Sequence, residues 1–583
     1  MARNVKVGPN NEFSEYIHTR KYRQPGETFR DAMNRIAAAM SDEGASRHYQ
    51  AFRDCLMGMR FVPAGRVQAA MGSARDVTAL NCFASGTIPD SFVQPDDEHQ
   101  SSIMHRACEA AATMRMGGGI GYDFSTLRPR GALIRKLQSH SSGPVSFMHV
   151  FNSVGEATAS AGHRRGAQMG VLRVDHPDIV EFINVKHKRG VLEGFNLSVA
   201  VTDDFMECVS RGARFDLEFG GEIYKTVDAR ELWDTIMRST WDWADPGVLF
   251  IDTINRMNNL WYAEKIATTN PCGEQPLPPF GACLLGSFNL VKYMTPQTST
   301  RHQRMWSFDT RQLTEDIPHV VRAMDNVIDR SSFPLEAQGE EARYKRRMGL
   351  GVMGLANAAE TLGHPYGSPG FIEFERMVLT TIRDHAYMAS ARLAREKGSF
   401  PLLMTKQYLD GEFTKTLSPE VREEIRTHGI RNSHLLSIAP TGTISLASDN
   451  VSSGLEPVFA LCTQRPVNDH VGTAPLMVEI PDYAHENFGT IPKLCSEVTA
   501  TEHVSVLTTA AALVDSSVSK TCNVTGKMPW DEFRNIYRAA WEGGAKGCTT
   551  FNIDGQKMAL LKSSPQTAAS CTFDPTTGTR SCE

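Results

Sequence analysis

The sequence predicts an α/β fold, and two observations support this. Strand-like segments such as residues 196–201 are followed by segments with helical spacing such as residues 230–244. The alternation runs over about five hundred residues with no internal linker. Strands that alternate with helices form a sheet covered by helices, so a single α/β unit is expected for most of the chain.

The individual elements follow from apolar spacing and from turn residues. Residues 1–60 are predicted to be helical, because residues 27–40 place Phe29, Met33, Ile36 and Met40 near helical spacing. From Phe61 the sequence changes to glycine-rich loops between short elements. The other predicted helices are 177–188, 230–244, 310–329, 371–396 and 530–541, and the predicted strands are 196–201, 215–219 and 546–553. From about residue 562 the chain is small, polar and rich in turn residues, which predicts a mobile tail.

The composition excludes several classes of protein. The chain has 583 residues, 41% of them hydrophobic and 22% charged, as in ordinary soluble globular proteins. Its net charge of −5 gives no general attraction to nucleic acid or to anionic membranes, so a negatively charged substrate must be captured by a local site. We expect neither a leader nor a membrane span. Twelve cysteines without paired zinc-type spacing predict no disulfide scaffold, no metal site, and a cytoplasmic location with reduced thiols.

The most informative motif is Asn-Pro-Cys-Gly-Glu at residues 270–274, with a second cysteine, Cys283, eleven positions after the first. Pro and Gly prevent a regular helix or strand, and in an extended loop Asn270, Cys272 and Glu274 would share one face. An amide, a thiol and a carboxylate together form a compact reactive set. A lone loop cysteine is more often inert than catalytic, so this motif needs support from the rest of the chain.

Two further motifs contain glycines in suggestive patterns. Residues 440–445 (PTGTIS) offer backbone amides and hydroxyls around a glycine, which suits phosphate oxygens, although a polar turn between strands is the simpler interpretation. Residues 349–354 read G-x-G-x-x-G, but they lie mid-chain with no clear strand before the first glycine. We therefore predict close backbone packing at residues 349–354 and not a nicotinamide site.

Taken together and in order, the motifs resemble the catalytic subunit of ribonucleotide reductase, most closely its adenosylcobalamin-dependent class, class II. The matching segments are FVPAGR at 61–66, NCF at 81–83, MGGGIGYDFSTLRPRGA at 116–132, SSGPVSFM at 141–148, RRGAQMGVL at 164–172, HPDI at 176–179, NPCGEQPL at 270–277, CLLGSFNL at 283–290, RRMGLGVMG at 346–354, IAPTGTIS at 438–445, SGLEP at 453–457, SVSKTCNV at 517–524, and the tail from Cys571 to Cys582.

The resemblance implies a ten-stranded α/β barrel with a central finger loop that carries residues 270–274. It implies three regions: a small N-terminal helical region at 1–60, the catalytic barrel at 61–556, and a flexible redox-active tail at 557–583. The implied activity is that of an oxidoreductase that converts ribonucleoside di- or triphosphates to 2′-deoxyribonucleotides through a cysteine thiyl radical.

The resemblance also assigns roles at the reaction centre. Cys272 would form the thiyl radical, Glu274 would take the proton of the 3′-hydroxyl, and Asn270 would hold the sugar hydroxyls. Cys82 and Cys283 would be the reducing pair that ends each turnover as a disulfide. Without the resemblance, two buried packing cysteines would be an equal alternative for this pair.

Two more sets of residues are implied for the substrate phosphates and for reduction. The substrate-phosphate loop would be Pro440, Thr441, Gly442, Thr443, Ile444 and Ser445. Cys571 and Cys582 flank a turn-forming segment and could pass reducing equivalents by thiol exchange from a thioredoxin- or glutaredoxin-like reductant. The alternative is two exposed tail thiols with no role.

In this family a deoxynucleotide or ATP effector binds at a homodimer interface and selects which base is reduced. The matching positions are Asp90, the segment from Arg128 to residue 134, and a flexible loop at 160–170 that includes Arg164 and Arg165. Helices near 97–114 and 144–159 would form the subunit contact. The alternative is two glycine-rich surface loops in a monomer.

The resemblance implies adenosylcobalamin as the radical source. Class I relatives receive the radical through adjacent tyrosines near the C-terminus, and residues 546–553 contain no tyrosine. The glycyl-radical class fits poorly because its C-terminal motif is missing. One departure is that the cobalamin class usually has Tyr-Arg where this chain has Phe551-Asn552. A class I type subunit that needs a metal-radical partner therefore stays as the main alternative, beside a non-catalytic nucleotide-binding protein and a NAD-dependent dehydrogenase.

Overall fold

A computed structural model describes residues 7–42, 46–95, 101–135, 137–160, 164–188, 190–297, 305–467, 476–552, 554, 572–574 and 579–581. The helices in these residues are α1 (Glu12–Tyr22), α2 (Phe29–Met40), α3 (Ser46–Met57), α4 (Gly65–Ala70), α5 (Ile103–Arg115), α6 (Pro144–Ala157), α7 (Ile179–Asn184), α8 (Asp203–Arg211), α9 (Ala229–Trp243), α10 (Ile251–Arg256), α11 (Thr310–Arg330), α12 (Glu336–Lys345), α13 (Leu355–Thr361), α14 (Pro369–Lys397), α15 (Thr405–Asp410), α16 (Pro419–His428), α17 (Gly442–Leu446), α18 (Tyr483–Phe488), α19 (Ala500–Ala511) and α20 (Trp530–Glu542).

The strands in the same residues are β1 (Phe61–Pro63), β2 (Cys82–Thr87), β3 (Gly119–Asp123), β4 (Leu133–Ile134), β5 (Ser139–His140), β6 (Ala159–Ser160), β7 (Arg164–Arg165), β8 (Gln168–Arg173), β9 (Phe195–Val201), β10 (Arg214–Phe219), β11 (Glu222–Asp228), β12 (Gly247–Phe250), β13 (Thr268–Thr269), β14 (Pro276–Leu277), β15 (Ala282–Cys283), β16 (Leu285–Asn289), β17 (Met294–Gln297), β18 (Met305–Phe308), β19 (Gly349–Met353), β20 (Cys462–Val467), β21 (Leu476–Pro481), β22 (Thr521–Val524), β23 (Gly547–Asn552), β24 (Thr572–Asp574) and β25 (Thr579–Ser581).

The main sheet has eight strands in the order β15-β2-β3-β8-β9-β12-β23-β22. Strands β2, β3, β8, β9 and β12 run parallel to one another, whereas β23 is antiparallel to β12 and parallel to β22. Strands β3, β9 and β12 are buried along their whole length, as expected for parallel strands covered on both faces. The α/β fold class predicted from the sequence is therefore confirmed.

A second sheet joins β1, β16 and β19, and single bridges extend it toward the main sheet. β16 and β19 are parallel, Leu350 in β19 bridges to Leu436, and Ile438 bridges to Val518 just before β22. On the other side, β16 follows β15 directly in the chain, and β15 pairs antiparallel with β2. The two sheets are thus linked by chain continuity between β15 and β16 and by single bridges beyond β19.

The helices begin where the sequence supplies caps. Helix α2 begins after Thr28, whose hydroxyl accepts from the Asp31 backbone N–H while the Asp31 carboxylate accepts from Thr28, a capping box. Its buried face includes Met33, Ile36 and Met40, as the apolar spacing predicted. Helix α14 begins with Pro369 after the cap Ser368 and ends at Lys397, with Gly398 as its C-cap.

No helix in the described ranges is both long enough and apolar enough to span a lipid bilayer. The boundaries proposed at residues 60 and 556 stay predictions. Of the tail, only β24 and β25 are described, and they pair as a short antiparallel hairpin.

Candidate active site

The NPCGE motif forms the tip of a β-hairpin that begins with β13 and returns through β14. The Asn270 N–H donates to the Gln275 carbonyl at 3.0 Å, and the Gln275 N–H donates to the Asn270 side-chain oxygen at 2.9 Å. Gly273 has a φ of +82°, a conformation that favours glycine. The tip is therefore a tight turn, and the expectation of an extended loop was wrong.

Three hydrogen bonds attach this tip to three segments of the chain that are far apart in sequence. The Asn196 side chain in β9 donates to the Pro271 carbonyl at 2.7 Å. The Glu274 carbonyl accepts from the Ser437 hydroxyl at 2.9 Å and from the Ser517 N–H at 3.0 Å. The tip carrying Cys272 is thus held from both halves of the chain.

Glycines in β3 provide the space that the hairpin occupies. A Cβ atom on Gly121 would lie 1.8 Å from the Thr269 carbonyl oxygen, and one on Gly119 would lie 3.0 Å from the Pro271 ring. Real Cβ atoms do not approach that closely to backbone oxygen, so Gly121 can have no side chain while the hairpin keeps this position. These contacts explain two of the four glycines of the MGGGIG segment, Gly119 and Gly121.

The G-x-G-x-x-G segment also packs against the hairpin. Its first five residues are the buried strand β19, and a Cβ on Gly349 would lie 2.6 Å from the Gln275 side-chain nitrogen. A Cβ on Gly351 would lie 2.4 Å from the Ser437 carbonyl oxygen. The prediction of close backbone packing at this segment is confirmed.

A cavity brings most of the predicted reaction centre together. The residues that line it are Ala64, Gly65, Asn81, Cys82, Cys272, Glu274, Leu285, Gly286, Ser287, Ala439, Pro440, Thr441, Gly442 and Ile444. Asn270 is fully buried beside this cavity and does not line it. The thiol, the carboxylate and the candidate phosphate loop, which lie far apart in sequence, therefore face one space.

Cys82 and Cys283 are direct cross-strand partners in β2 and β15. Such partners have Cβ atoms roughly 5 Å apart, so the two thiols are neighbours. Both are buried and reduced, and burial together with the neighbouring Cys82 thiol raises the pKa of Cys283. The arrangement can supply two thiols to one reaction, and the redox role of the pair stays a prediction.

Glu274 has the chemistry expected of a general base near neutral pH. Burial raises the pKa of its carboxyl to about 7, and the nearby Asn270 amide lowers it in part. Among the described residues, one carboxyl oxygen of Glu274 and the side-chain nitrogen of Asn270 have no hydrogen-bond partner. Buried polar atoms without partners are costly unless a ligand satisfies them, so both atoms are candidates for substrate contacts.

Asn81 is a candidate site residue that the sequence reasoning missed. It precedes Cys82, lines the cavity, and its buried side-chain oxygen has no partner among the described residues. In the NCF motif, only the cysteine was predicted to have a role. Its asparagine could have been noticed as a second polar group next to a predicted catalytic position.

The candidate phosphate loop is built around an unusual backbone conformation. Thr441 has a φ of +56° and precedes α17, and its hydroxyl accepts from the Gly454 N–H at 2.8 Å. The hydroxyl of Ser445 contacts that of Ser453 at 2.9 Å. The SGLEP segment thus supports the loop, and Thr443 and Ser445 do not line the cavity.

A second cavity reaches Cys272. Apart from the hairpin tip, its lining belongs to other segments than that of the first cavity. The lining residues are Met169, Asn196, Ser198, Val248, Leu249, Pro271, Cys272, Gly273, Val518, Ser519, Lys520, Thr521, Gly547, Cys548 and Thr549. Cys272 is the one residue that lines both cavities. Its thiol therefore lies where two separate binding spaces meet.

A buried ion pair supports the wall of the second cavity. The Lys520 Nζ lies 3.1 Å from Glu456 Oε2 and 3.0 Å from His503 Nδ1, and the Thr521 N–H donates to Glu456 Oε1 at 2.7 Å. This pair explains the glutamate of SGLEP and the lysine of SVSKTCNV, to which the sequence reasoning gave no roles.

The predicted effector residues are only partly described. Asp90 and Arg128 form an ion pair with an Oδ2–Nε distance of 2.7 Å. Arg164 and Arg165 form β7, which pairs with β6, and their side chains lie outside the described atoms. Asp90 and Arg128 are therefore brought together.

The predicted flexible loop at 160–170 is shorter than expected, because β8 begins at Gln168. Gly170 lies inside that strand, and a Cβ on it would lie 2.7 Å from the Met148 methyl group. Close packing, and not freedom to move, accounts for Gly170, so its assignment to the loop was wrong.

The tail approaches the candidate site. Strand β25 of the C-terminal hairpin packs against α17, the helix that follows Thr441. Thr572 pairs with Ser581 in this hairpin. Their sequence neighbours Cys571 and Cys582 lie outside the described residues.

Comparison with known proteins agrees with this geometry. The family described as "Ribonucleotide reductase, barrel domain" matches residues 84–551. A Mycobacterium tuberculosis protein named vitamin B12-dependent ribonucleoside-diphosphate reductase is 34% identical over 96% of this chain and 80% of its own length. A Thermoplasma acidophilum protein of the same name is 34% identical over 92% of this chain and 68% of its own length. The chain belongs to the ribonucleotide reductase family.

Proposed function

We propose that the chain is a vitamin B12-dependent ribonucleoside-diphosphate reductase, which converts ribonucleoside diphosphates to 2′-deoxyribonucleotides. The observation that carries this proposal is the position of Cys272 between two cavities. One cavity also contains Glu274, Cys82 and the phosphate loop, and the other is lined by polar side chains from β9, β23 and the start of β22. The names of the relatives support the same activity.

In this proposal the substrate ribose lies in the first cavity. As a thiyl radical, Cys272 would abstract a hydrogen atom from C3′ and return it to C3′ at the end of turnover, and Glu274 would accept the proton of the 3′-hydroxyl and give it back as the product forms. Loss of the 2′-hydroxyl as water requires one proton, and the reduction requires two electrons. Cys82 and Cys283 supply both electrons and become a disulfide, so one nucleotide and two thiols give one deoxynucleotide, one disulfide and one water.

The second cavity fits the adenosyl part of adenosylcobalamin. Asn196, Ser198, Ser519, Thr521 and Thr549 offer amide and hydroxyl groups to its ribose and base. When bound, the cofactor would supply radical chemistry to this cavity. Cys272 is the thiol that this cavity presents to it.

The main alternative is a class I type subunit that receives its radical from a separate metalloprotein. Such a route needs redox-active side chains leading to the site. Strand β23 has Phe551 and no tyrosine, and the Mycobacterium and Thermoplasma relatives are named B12-dependent. Both observations favour adenosylcobalamin as the radical source.

We also propose that the two sheets close into a ten-stranded barrel around the hairpin of β13 and β14. The first half would be β2, β3, β8, β9 and β12, and the second would be β15–β16, β19, 436–438, 518–524 and β23. The bridges Leu350–Leu436 and Ile438–Val518 and the antiparallel pairs at both junctions support this closure.

The remaining parts of the proposal concern the assembly. A helical region at 1–60, a barrel at 61–556 and a redox tail at 557–583 are proposed, with Cys571 and Cys582 passing electrons from a thioredoxin- or glutaredoxin-like reductant to Cys82 and Cys283. A deoxynucleotide or ATP effector would bind near Asp90 and Arg128 in a homodimer formed through α5 and α6, which pack against each other. A cytoplasmic location is proposed from the cysteine usage.

Anaerobic incubation with cytidine diphosphate and dithiothreitol, with and without adenosylcobalamin, tests the proposal. We expect deoxycytidine diphosphate only when the cofactor is present, and binding of the cofactor by equilibrium dialysis. Product that requires a metalloprotein and ignores cobalamin would establish the class I alternative. No product and no nucleotide binding under any effector would refute reductase activity.

A further inference from the structure

The backbone carbonyl of Glu274 is held by two segments that lie far apart in the sequence. It accepts from the Ser437 hydroxyl at 2.9 Å and from the Ser517 N–H at 3.0 Å. Both serines are buried. Because this carbonyl belongs to the residue that carries the candidate general base, the position of the base depends on how firmly these two segments are held.

A buried aspartate ties the two segments together. The carboxylate of Asp515 accepts from the Leu435 N–H at 2.7 Å and from the Leu436 N–H at 2.9 Å. The Ser516 N–H donates in turn to the Leu436 carbonyl at 3.1 Å. The Tyr387 hydroxyl of α14 donates to the same carboxylate at 2.7 Å. The carboxylate of Asp515 therefore meets three donors and joins the segment before Ser437 to the segment before Ser517.

A buried lysine holds the second of these segments from another direction. The Lys546 Nζ donates to the Val514 carbonyl at 3.2 Å and to the Asp515 carbonyl at 2.6 Å. It also donates to the Ser516 carbonyl. An ammonium group has three N–H donors, so these three consecutive carbonyls can use all of them. Because Lys546 directly precedes β23, and its own carbonyl accepts from the Phe250 N–H of β12 at 3.0 Å, the segment is attached to the main sheet.

The charge of Lys546 is costly at this position. The side chain is buried, and burial lowers the pKa of Lys546 to about 8, while the Asp515 carboxylate raises it in part. The three carbonyls and the carboxylate replace the water that the ammonium group has lost. A methionine would fill nearly the same space without this cost, so the hold on the three carbonyls is what the lysine adds.

We propose that Lys546 and Asp515 are positioning residues, which hold the 514–517 segment and through it the Glu274 end of the hairpin. Neither residue belongs to the described lining of the two cavities, so both would act through Ser517 and not on a ligand. The inference rests on the proposed function, because a displaced Glu274 affects reduction only if Glu274 is the base. The competing explanation is that Lys546 and Asp515 only stabilise the fold.

The test compares three substitutions and a control with wild type. Lys546→Met keeps the length of the side chain and removes its donors, whereas Lys546→Arg keeps the cation. Ser437→Ala removes one of the two bonds to the Glu274 carbonyl and leaves Lys546 in place. The control is Arg230→Met, because Arg230 in α9 also donates to two backbone carbonyls, at the end of α8, and is not part of the described cavity linings.

Two measurements are made on each protein. Hydrogen–deuterium exchange with mass spectrometry follows the amides of residues 268–277, with helix α16 as the internal reference, and it does not depend on activity. Steady-state kinetics with cytidine diphosphate, dithiothreitol and adenosylcobalamin give kcat and KM separately. Thermal unfolding reports any loss of stability.

We expect Lys546→Met to raise the exchange rate of the hairpin amides by at least about tenfold, because three charge-assisted hydrogen bonds are lost. The kcat should fall by at least about tenfold while KM changes less than about threefold, since a displaced base affects the chemical step more than binding. Ser437→Ala should change exchange and kcat in the same direction by smaller factors. Lys546→Arg should recover most of both, and Arg230→Met should match wild type in both.

Wild-type exchange and wild-type kcat in folded Lys546→Met, with only a lower Tm, would show a purely stabilising role and overturn this inference. If Lys546→Met does not fold, Ser437→Ala decides, because the proposed effect passes through the bonds to the Glu274 carbonyl; wild-type exchange and kcat in Ser437→Ala would then overturn the inference. Either result with an active wild type leaves the reductase proposal standing. A wild type that does not reduce cytidine diphosphate would overturn both.

Discussion

Replacement of Glu274 by glutamine should abolish nucleotide reduction and should change how the stability of the protein depends on pH. Glutamine keeps the size of the side chain and cannot ionise. Burial raises the pKa of the Glu274 carboxyl from its ordinary 4.5 to about 7, so the folded protein favours the protonated form. The stability that this group contributes is present at low pH and is lost as pH rises through about 7.

The expected loss of stability follows from the size of the pKa shift of Glu274. Each pKa unit is worth about 1.4 kcal/mol, so wild type should lose about 2 to 3 kcal/mol relative to Glu274→Gln between pH 5 and pH 8. In a chain of 583 residues this corresponds to about 2 °C in Tm. Thermal unfolding of both proteins at the two pH values measures the difference.

Glu360 provides a matched control. Burial also raises the pKa of its carboxyl to about 7, and it lies in α13, away from the cavity lining. Glu360→Gln should show the same pH-dependent gain in Tm and keep its activity. Glu274→Gln should lose nucleotide reduction, and the wild-type rate should rise with pH to half its maximum near 7. Equal Tm differences at both pH values, or a wild-type rate without this acid limb, would refute the reasoning.

Three further predictions concern the hairpin, the thiols and the tail. Gly121→Ala should lower activity by at least about a hundredfold, because its Cβ would displace the Thr269 carbonyl. Gly119→Ala has a looser contact and should lose less activity. Comparable activity in the two variants would contradict this. Cys82→Ser or Cys283→Ser should lower turnover by at least about a thousandfold while cytidine diphosphate binding by dialysis changes less than about twofold; turnover near wild type would exclude the pair as reductant. Cys571→Ser with Cys582→Ser should lower thioredoxin-supported turnover by at least about tenfold and leave dithiothreitol-supported turnover intact; equal losses with both reductants would argue against the shuttle.

The sequence grouped candidate residues that the structure brings close together, but it did not predict the shape of the loop that carries them. The order of the motifs identified Cys82, Cys272, Glu274 and Cys283, and the structure places three of them around one cavity with the fourth beside it. The turn at Gly273 was not predicted, because alternation along an extended chain says nothing about where a hairpin reverses. The period-two spacing of Gly119 and Gly121 did mark one face of a strand, and only the structure shows what that face contacts.

Contacts between distant segments explain the other omissions. Glu456 and Lys520 are 64 positions apart, and neither residue type predicts a buried partner from local pattern. From the sequence, Asn81 resembles any polar residue at the start of a strand. Only the structure shows that Asn81 lines the cavity and that its side-chain oxygen has no partner among the described residues.

The most direct test of the role of Cys272 is hydrogen exchange between its thiol and the cofactor. Incubation in D₂O with adenosylcobalamin and an effector, followed by mass spectrometry, measures deuterium entering the 5′-carbon of the adenosyl group. We predict exchange in wild type and in Cys82→Ser, whose cysteine lines only the first cavity, and none in Cys272→Ser. Exchange at the wild-type rate in Cys272→Ser would contradict the placement of this thiol between cofactor and substrate.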